Sequence, residues 1–372
     1  RSTHKPSSAA SDVYKRQPQL PRFLAGEVSQ ESLIARPPSW YAERGVEVHL
    51  GTPVQRILPA DNRVLLASGA EVPYDRLLLA TGSRPFIPPI EGVEKRGVFA
   101  LRTLEDALAI RGHAARSERA VVIGGGLLGL EAARALNALG LTVTVLEFND
   151  RLLPRQLDGE GAAVLRRVVE GMGIEVALGA RTRAIEGPEE AREVALHDGR
   201  AFPAQLILFA TGVRSDVTLA VGAGLAVDRG IVVDERMRTS APDVYGAGDV
   251  ASFNGRCWAI IPQARAQAQV AAANMAGERA IYEEIVPSTT LKIVGTDLTS
   301  CGTVNPEEDG YVEIRRAHPE AGVYKKIVLK EGTAVGAVVL GDRPLARKLE
   351  RLVTRRAALS QEEARDLLEG GA

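Results

Sequence analysis

Cysteine is nearly absent: Cys257 and Cys301 are the two in 372 residues. That excludes a disulfide-stapled scaffold and a four-cysteine metal site, and it fits a reducing cytosol. Histidine is sparse as well. The five residues show no His-Glu-x-x-His or similar spacing, so no metal is expected, and His113 and His197 read as solvated loop residues. No apolar run approaches the roughly 20 residues of a bilayer span. Neither charge sign dominates: 46 Lys and Arg face 47 Asp and Glu, a net charge of −1. No basic field therefore argues for nucleic acid or an anionic membrane. What remains is 45% apolar and 25% charged, ordinary for a soluble globular chain and long enough for two or three domains.

Glycine is plentiful, and its most informative use lies between Arg119 and Glu147. A buried strand, Ala120 to Ile123, runs into Gly124, Gly126 and Gly129, which is Gly-x-Gly-x-x-Gly. A helix opening with Leu127 and Leu128 continues through Ala138, and Gly140 stops it. A second strand, Thr142 to Leu146, ends in Glu147. Gly124 permits the tight turn, Gly126 lets backbone approach a pyrophosphate, and Gly129 lets helix and strand pack closely. The helix N-terminus offers free N–H groups and partial positive charge to phosphates. Glu147 follows Gly129 by 18 residues, close to the roughly 20 at which a carboxylate accepts the ribose hydroxyls. The competing reading, a glycine-rich structural turn, explains neither flanking elements nor acid. A carboxylate there repels a 2′-phosphate, and Phe148, Asn149 and Asp150 intervene before Arg151, so NADH is expected over NADPH. Glu147→Arg is expected to weaken NADH use and improve NADPH use, each lost ribose bond costing about 1–3 kcal/mol.

Residues 1–17 read as a foreign or disordered segment: polar, without periodicity, without the apolar core of a signal peptide. The chain is expected to begin inside a larger domain, and the upstream reading frame tests this. Further on, a helix is expected to end near Gly45, with strands over Val46 to Leu50, Val54 to Leu58, Arg63 to Leu66 and Ala70 to Val72. Thr103 and Asp106 form a capping pattern for a helix to Ala114. Leu165 to Gly171 reads as a helix, Ile174 to Leu178 as a strand, and Ala184 to Pro203 as an antiparallel meander. Two buried strands, Leu77 to Thr81 and Leu206 to Ala210, each lead into Ala-Thr-Gly, at Ala80 to Gly82 and Ala210 to Gly212. This internal repeat implies two similar nucleotide-binding domains. Residues 356–370 suggest a polar terminal helix.

Downstream, a strand from Val244 to Ala247 delivers Gly248-Asp249 to the carboxyl end of a sheet, where doubly wound folds bind ligands. Asp249 there accepts hydroxyls of a sugar or ribitol chain, although Gly-Asp taken alone is equally an ordinary turn. A helix from about Pro262 to Met275 follows, with Pro262 well placed in its first turn. Its N-terminus suits the electron-rich edge of an isoalloxazine.

Two Ala-Thr-Gly turns flanking the glycine motif, then Thr239-Ser240-x-Pro242-x-Val244-Tyr245-x-x-Gly248-Asp249, resemble the two-dinucleotide-binding-domain flavoprotein reductases, the pyridine nucleotide–disulfide oxidoreductase superfamily. Leu24 to Glu27, Leu79 to Phe86 and Pro287 to Lys292 further resemble the flavin module of nitrite reductase large subunits and the rubredoxin and ferredoxin reductases. The resemblance runs from about residue 18 to about 355. It implies an α/β fold with two Rossmann-like domains and a small C-terminal α+β domain. The FAD domain is expected over 18–103 and 229–284, discontinuous and without its first βαβ unit, since no Gly-x-Gly-x-x-Gly precedes residue 120. The NAD domain is expected over 104–228 and the interface domain over 285–372. The resemblance also implies that Val54 meets the adenine of FAD and that Ala80, Thr81 and Gly82, with Arg84, line the pyrophosphate. Gly248, Asp249 and Pro262 are expected at ribitol and ring, and Gly212 beside NAD. Glu131 matches an acidic residue near flavin N5, with Arg22 as its candidate base or as a solvated residue.

The expected activity is transfer of hydride from NADH to FAD. Electrons then pass to a small redox protein, such as rubredoxin or ferredoxin, or to an iron–sulfur or sirohaem module, in a cytoplasmic monomer or homodimer. Two alternatives stand beside it. One is a thiol/disulfide, peroxide or O₂ reductase with a catalytic cysteine upstream of this chain; Cys257 itself reads as a small buried filler. The other is an NADH-binding redox sensor or an inactive fragment.

Overall fold

A computed structural model describes residues 19–293 and 296–370, so the expectation for 1–17 lies outside the described residues. The chain divides into two compact units. One comprises Gln30–Phe86 and Val213–Ile285; the other comprises the described parts of Pro18–Ser29, Ile87–Gly212 and Val286–Ala372.

The larger unit is built on a five-stranded parallel sheet. Its order is Val98–Ala100, Leu206–Phe209, Arg119–Ile123, Thr142–Leu146, Glu175–Ala177. All four central residues of the strands at 120–123, 143–146 and 206–209 are buried, as expected of a parallel sheet covered on both faces. The helices Leu104–Ala114, Leu127–Ala138 and Gly159–Gly171 make the crossovers. The expected capping box is present: Thr103 Oγ1 accepts from Asp106 N–H at 3.2 Å, and the Asp106 carboxylate accepts from Thr103 N–H at 2.8 Å. The meander is three antiparallel strands, Thr182–Glu186, Glu193–Leu196 and Ala201–Pro203. A short helix, Leu20–Leu24, packs on Leu104–Ala114 and Leu127–Ala138 through buried Leu20, Phe23 and Leu24.

His113 corrects the expectation of a solvated loop histidine. It is buried in the helix Leu104–Ala114. Its Nε2 lies 2.8 Å from the Gln205 carbonyl and its Nδ1 2.9 Å from an Arg116 nitrogen. Both ring nitrogens are thus satisfied, which is what allows an imidazole into a core.

The same unit holds a five-stranded antiparallel sheet ordered Ser288–Ile293, Thr296–Gly302, Thr333–Leu340, Val323–Lys330, Tyr311–His318. Helices Arg343–Thr354 and Gln361–Glu369 close one face over a core that includes Cys301, Ile327, Val339 and Leu349.

The other unit has smaller sheets. Val54–Leu58, Arg63–Leu66 and Glu71–Pro73 form an antiparallel ribbon. Leu77–Leu79 pairs in parallel with Val244–Gly246, and Ser83–Pro85 pairs antiparallel with Val213–Ser215. The long helix Ile261–Met275 begins one residue before Pro262. The strand expected over Val46 to Leu50 does not form: these residues join no sheet among the described residues, and Val46 N–H donates instead to the Tyr41 carbonyl at 3.0 Å. Local β-propensity does not make a strand without a ladder partner. Among the described residues, no helix is long and apolar enough to cross a membrane.

Candidate dinucleotide and flavin sites

The glycine turn joins the central strand Arg119–Ile123 to the helix Leu127–Ala138 and sits at the carboxyl end of the parallel sheet. Gly124 adopts φ +118°, and a Cβ there would lie 2.4 Å from the Ala210 carbonyl oxygen. At Gly129 a Cβ would lie 1.9 Å from the Gly124 carbonyl oxygen. These two glycines let the turn, the helix and the second Ala-Thr-Gly segment close on one another. Gly126 differs: nothing lies within 4 Å of its Cβ position. It is the helix N-cap and brings no side-chain cap, so first-turn N–H groups stay available. The open space beside Gly126 and the uncapped helix end fit a pyrophosphate. Leu127 and Leu128 are the first helical residues, Leu128 being exposed.

Glu147 follows the adjacent strand and turns back to this loop. Its Oε2 accepts from Gly125 N–H at 2.7 Å. Its Oε1 accepts from Asn149 N–H at 2.8 Å and from Asn149 Nδ2 at 2.5 Å. Glu147 is 6% exposed, and these donors offset the cost of burying its charge. Sequence reasoning missed Gly125 and Asn149. A Cβ on Gly125 would meet Leu152 at 2.6 Å and the Glu147 carboxylate at 3.0 Å, a constraint that exists only once strand and turn are adjacent. Gly212 ends the second Ala-Thr-Gly at φ +95°, as Gly82 ends the first at φ +71°.

Glu131 lies on the helix Leu127–Ala138, one turn before Arg134. Arg22 donates to Glu27 at 3.3 Å and to Gln19 at 3.0 Å. Glu27 also accepts from Arg134 at 2.5 Å. The hydrogen bond from Arg134, above all, holds the Glu27 carboxyl below the usual range. Glu27, noticed in the sequence only as part of a motif, thus adds a charged tie between the Leu20–Leu24 segment and the helix Leu127–Ala138.

In the other unit, Asp249 follows the strand Val244–Gly246. Its Oδ2 accepts from Ser83 Oγ at 2.7 Å, and its carbonyl accepts from Ser215 Oγ at 2.6 Å. Gly248, at φ +83°, donates its N–H to Gln267 Oε1 at 2.9 Å, linking the Gly-Asp turn to the helix Ile261–Met275. Thr81 Oγ1 donates to the Asp216 carbonyl at 2.9 Å, and Asp216 N–H donates to the Gly82 carbonyl at 3.0 Å. The exposed Arg84 pairs with the Asp216 carboxylate at 2.7 Å. Ala80 is exposed, Val54 opens the β-ribbon, and Pro262 is exposed at the second helical residue. An oriented carboxylate at a strand end, beside an exposed Ala-Thr-Gly turn and a helix without a side-chain cap, fits a hydroxylated phosphate ester such as the ribityl arm of a flavin nucleotide.

The chain is similar to known proteins over most of its length. The pyridine nucleotide-disulphide oxidoreductase model matches residues 7–277, and the rubredoxin NAD+ reductase C-terminal domain matches residues 287–357. The assimilatory nitrate reductase electron transfer subunit of Bacillus subtilis is 35% identical over 91% of this chain and 44% of its own length. The ferredoxin–NAD(+) reductase component of the biphenyl dioxygenase system of Paraburkholderia xenovorans is 32% identical over 92% and 85%. Among solved structures, the reductase of the covalent putidaredoxin reductase–putidaredoxin complex superposes with a TM-score of 0.84 at 28% identity, covering 95% of this chain and 89% of that one. The chain spans less than half the length of the nitrate and nitrite reductase relatives it matches. The family model spans well over half of the chain and the relatives match along most of it: the chain belongs to the pyridine nucleotide-disulphide oxidoreductase family.

Proposed function

We propose that the chain is an FAD-dependent NADH oxidoreductase, or the flavin-reducing part of one, and that it passes electrons to a separate redox centre. Residues 104–228 would hold NADH, 18–103 and 229–284 the FAD, and 285–372 would form the interface domain. The observation that carries the reading is the Gly124–Gly129 turn with Glu147 hydrogen-bonded to Gly125 N–H. Gly126 and the first-turn N–H groups would receive the pyrophosphate, and Glu147 the adenosine ribose. Asp249, oriented by Ser83, would accept ribityl hydroxyls, with Val54, Ala80 to Gly82, Arg84, Gly248 and Pro262 around the rest of the FAD and Gly212 beside NAD. Bound flavin supplies the chemistry, taking two electrons as hydride and releasing them singly, so no protein nucleophile is needed. Glu131 and Arg22 are assigned to the flavin's surroundings by family resemblance alone, and Arg22 is engaged by Glu27 and Gln19.

The names of the relatives support, as the acceptor, a ferredoxin- or rubredoxin-like protein or a redox centre of a nitrite reductase. A cytosolic location agrees with two unpaired cysteines. Cys301 does not suit the thiol/disulfide alternative. Burial at 2% exposure pushes its thiol up to about 12, which withholds the thiolate. The deciding experiment is anaerobic titration of the FAD-loaded protein with NADH, followed by the visible flavin band. Stoichiometric bleaching supports the proposal; a flavin that stays oxidised rejects it.

A further inference from the structure

The loop after the strand Glu175–Ala177 is laced to the residues that follow Thr142–Leu146. Ala180 N–H donates to the Glu147 carbonyl at 2.8 Å, and Gly179 N–H donates to the Asn149 carbonyl at 2.9 Å. These bonds bring Arg181 to Phe148. The guanidinium carbon lies 5.8 Å from the ring centroid, within the range of cation–π attraction. Phe148 is 63% exposed and Arg181 is exposed too. Among the described residues, no carboxylate is within salt-bridge distance of Arg181. An unpaired cation on an aromatic face therefore stands next to the residue assigned to the ribose.

The Glu147 side chain is itself engaged within the turn. Its carboxylate is buried, and both oxygens are drawn toward Gly125 N–H and Asn149. The sequence shows Arg151 as the next cation along the chain, but folding supplies Arg181 from a different loop. A guanidinium presents several donors in a fork that matches phosphate oxygens.

We propose that Arg181 receives a phosphate on the 2′ position of the adenosine, so that the chain binds NADPH as well as NADH. The proposal rests on the nucleotide reading above and adds a specificity-determining residue to it. It is tested without flavin chemistry, by calorimetric titration of the full chain with ADP-ribose and with 2′-phospho-ADP-ribose. Wild-type protein is expected to bind both. Arg181→Gln should shift the ratio of the two dissociation constants against the 2′-phosphate by about 5- to 10-fold, the range of one exposed charge-assisted contact. Arg181→Lys should restore part of that shift. A ratio that moves by less than about twofold, the scale of an exposed pair contributing nothing, overturns the proposal. Failure of the wild-type chain to bind ADP-ribose at all would instead sink the nucleotide reading, and this inference with it.

Discussion

At the scale of single residues, the three motif glycines do different work, and substitution separates them. Gly129 is held for packing: an added Cβ collides with backbone that has nowhere to go. Gly129→Ala is expected to cost about 3 kcal/mol or more, seen as a lower midpoint in urea unfolding. Gly126 faces open space. Gly126→Ala should leave that midpoint nearly in place while weakening ADP-ribose binding in titration, because the methyl group occupies the ligand's side of the turn. If both variants lose stability equally, the assignment of Gly126 to the ligand is wrong. Glu147 joins the two roles. It holds Gly125 N–H, so Glu147→Arg would break the turn as well as change its charge. Glu147→Gln keeps an acceptor and removes the charge. It should raise the kcat/KM ratio of NADPH to NADH by about tenfold, equivalent to about 1.4 kcal/mol, in steady-state assays with an artificial acceptor. An unchanged ratio would mean that Glu147 does not meet the ribose.

Elements were legible where local chemistry and tertiary need agree. The helix Leu104–Ala114 starts where Thr103 and Asp106 reciprocally cap it. Thr103→Ala should cost about 1 kcal/mol, measured as a drop in Tm by calorimetry, because Asp106 N–H loses its side-chain acceptor. The strand Thr142–Leu146 was readable to the residue, since a run of β-branched residues ends at an acid. The Gly159–Gly171 helix is longer than its sequence reading because Asp158, whose side chain accepts from Gly161 N–H at 3.0 Å, starts it earlier. Val46 to Leu50 fails in the opposite sense. Its composition suits a strand, but a strand is a pairing, and composition cannot state whether a partner lies alongside.

At the scale of the molecule, a charge network around the buried Lys326, inside the larger unit, fastens the antiparallel sheet to the helix Gly159–Gly171. Lys326, 1% exposed, lies 3.0 Å from Asp158 and 2.7 Å from Glu313. Tyr324 donates to the same Asp158 oxygen at 2.6 Å, and Arg315 pairs with Glu313. Burial pushes the Asp158 carboxyl up, but hydrogen bonds from Tyr324, Gly161 and Lys326 outweigh it and hold it below the usual carboxylate range. A depressed carboxyl binds its proton more weakly folded than unfolded. Its contribution is therefore complete above the unfolded value of about 3.9 and is lost as pH falls through the folded value. Asp158→Asn should destabilise the protein by about 2 kcal/mol at pH 7. The difference from wild type should shrink as urea melts are taken from pH 5 toward pH 3. A difference independent of pH would show that packing, not charge, carries this contact.

By itself, the sequence determined the local periodicities, the caps, the glycine turn with its acid, and through them the family and the chemistry expected of it. These depend on residues close together in the chain, where backbone geometry leaves few choices. The tertiary structure alone decided what meets across the chain: Ala210 against Gly124, Glu147 on Gly125, Glu27 on Arg134, Lys326 on Asp158, and Arg181 on Phe148. Such contacts depend on which strands become neighbours, and that is fixed by burial summed over the whole sheet rather than by any local run of residues.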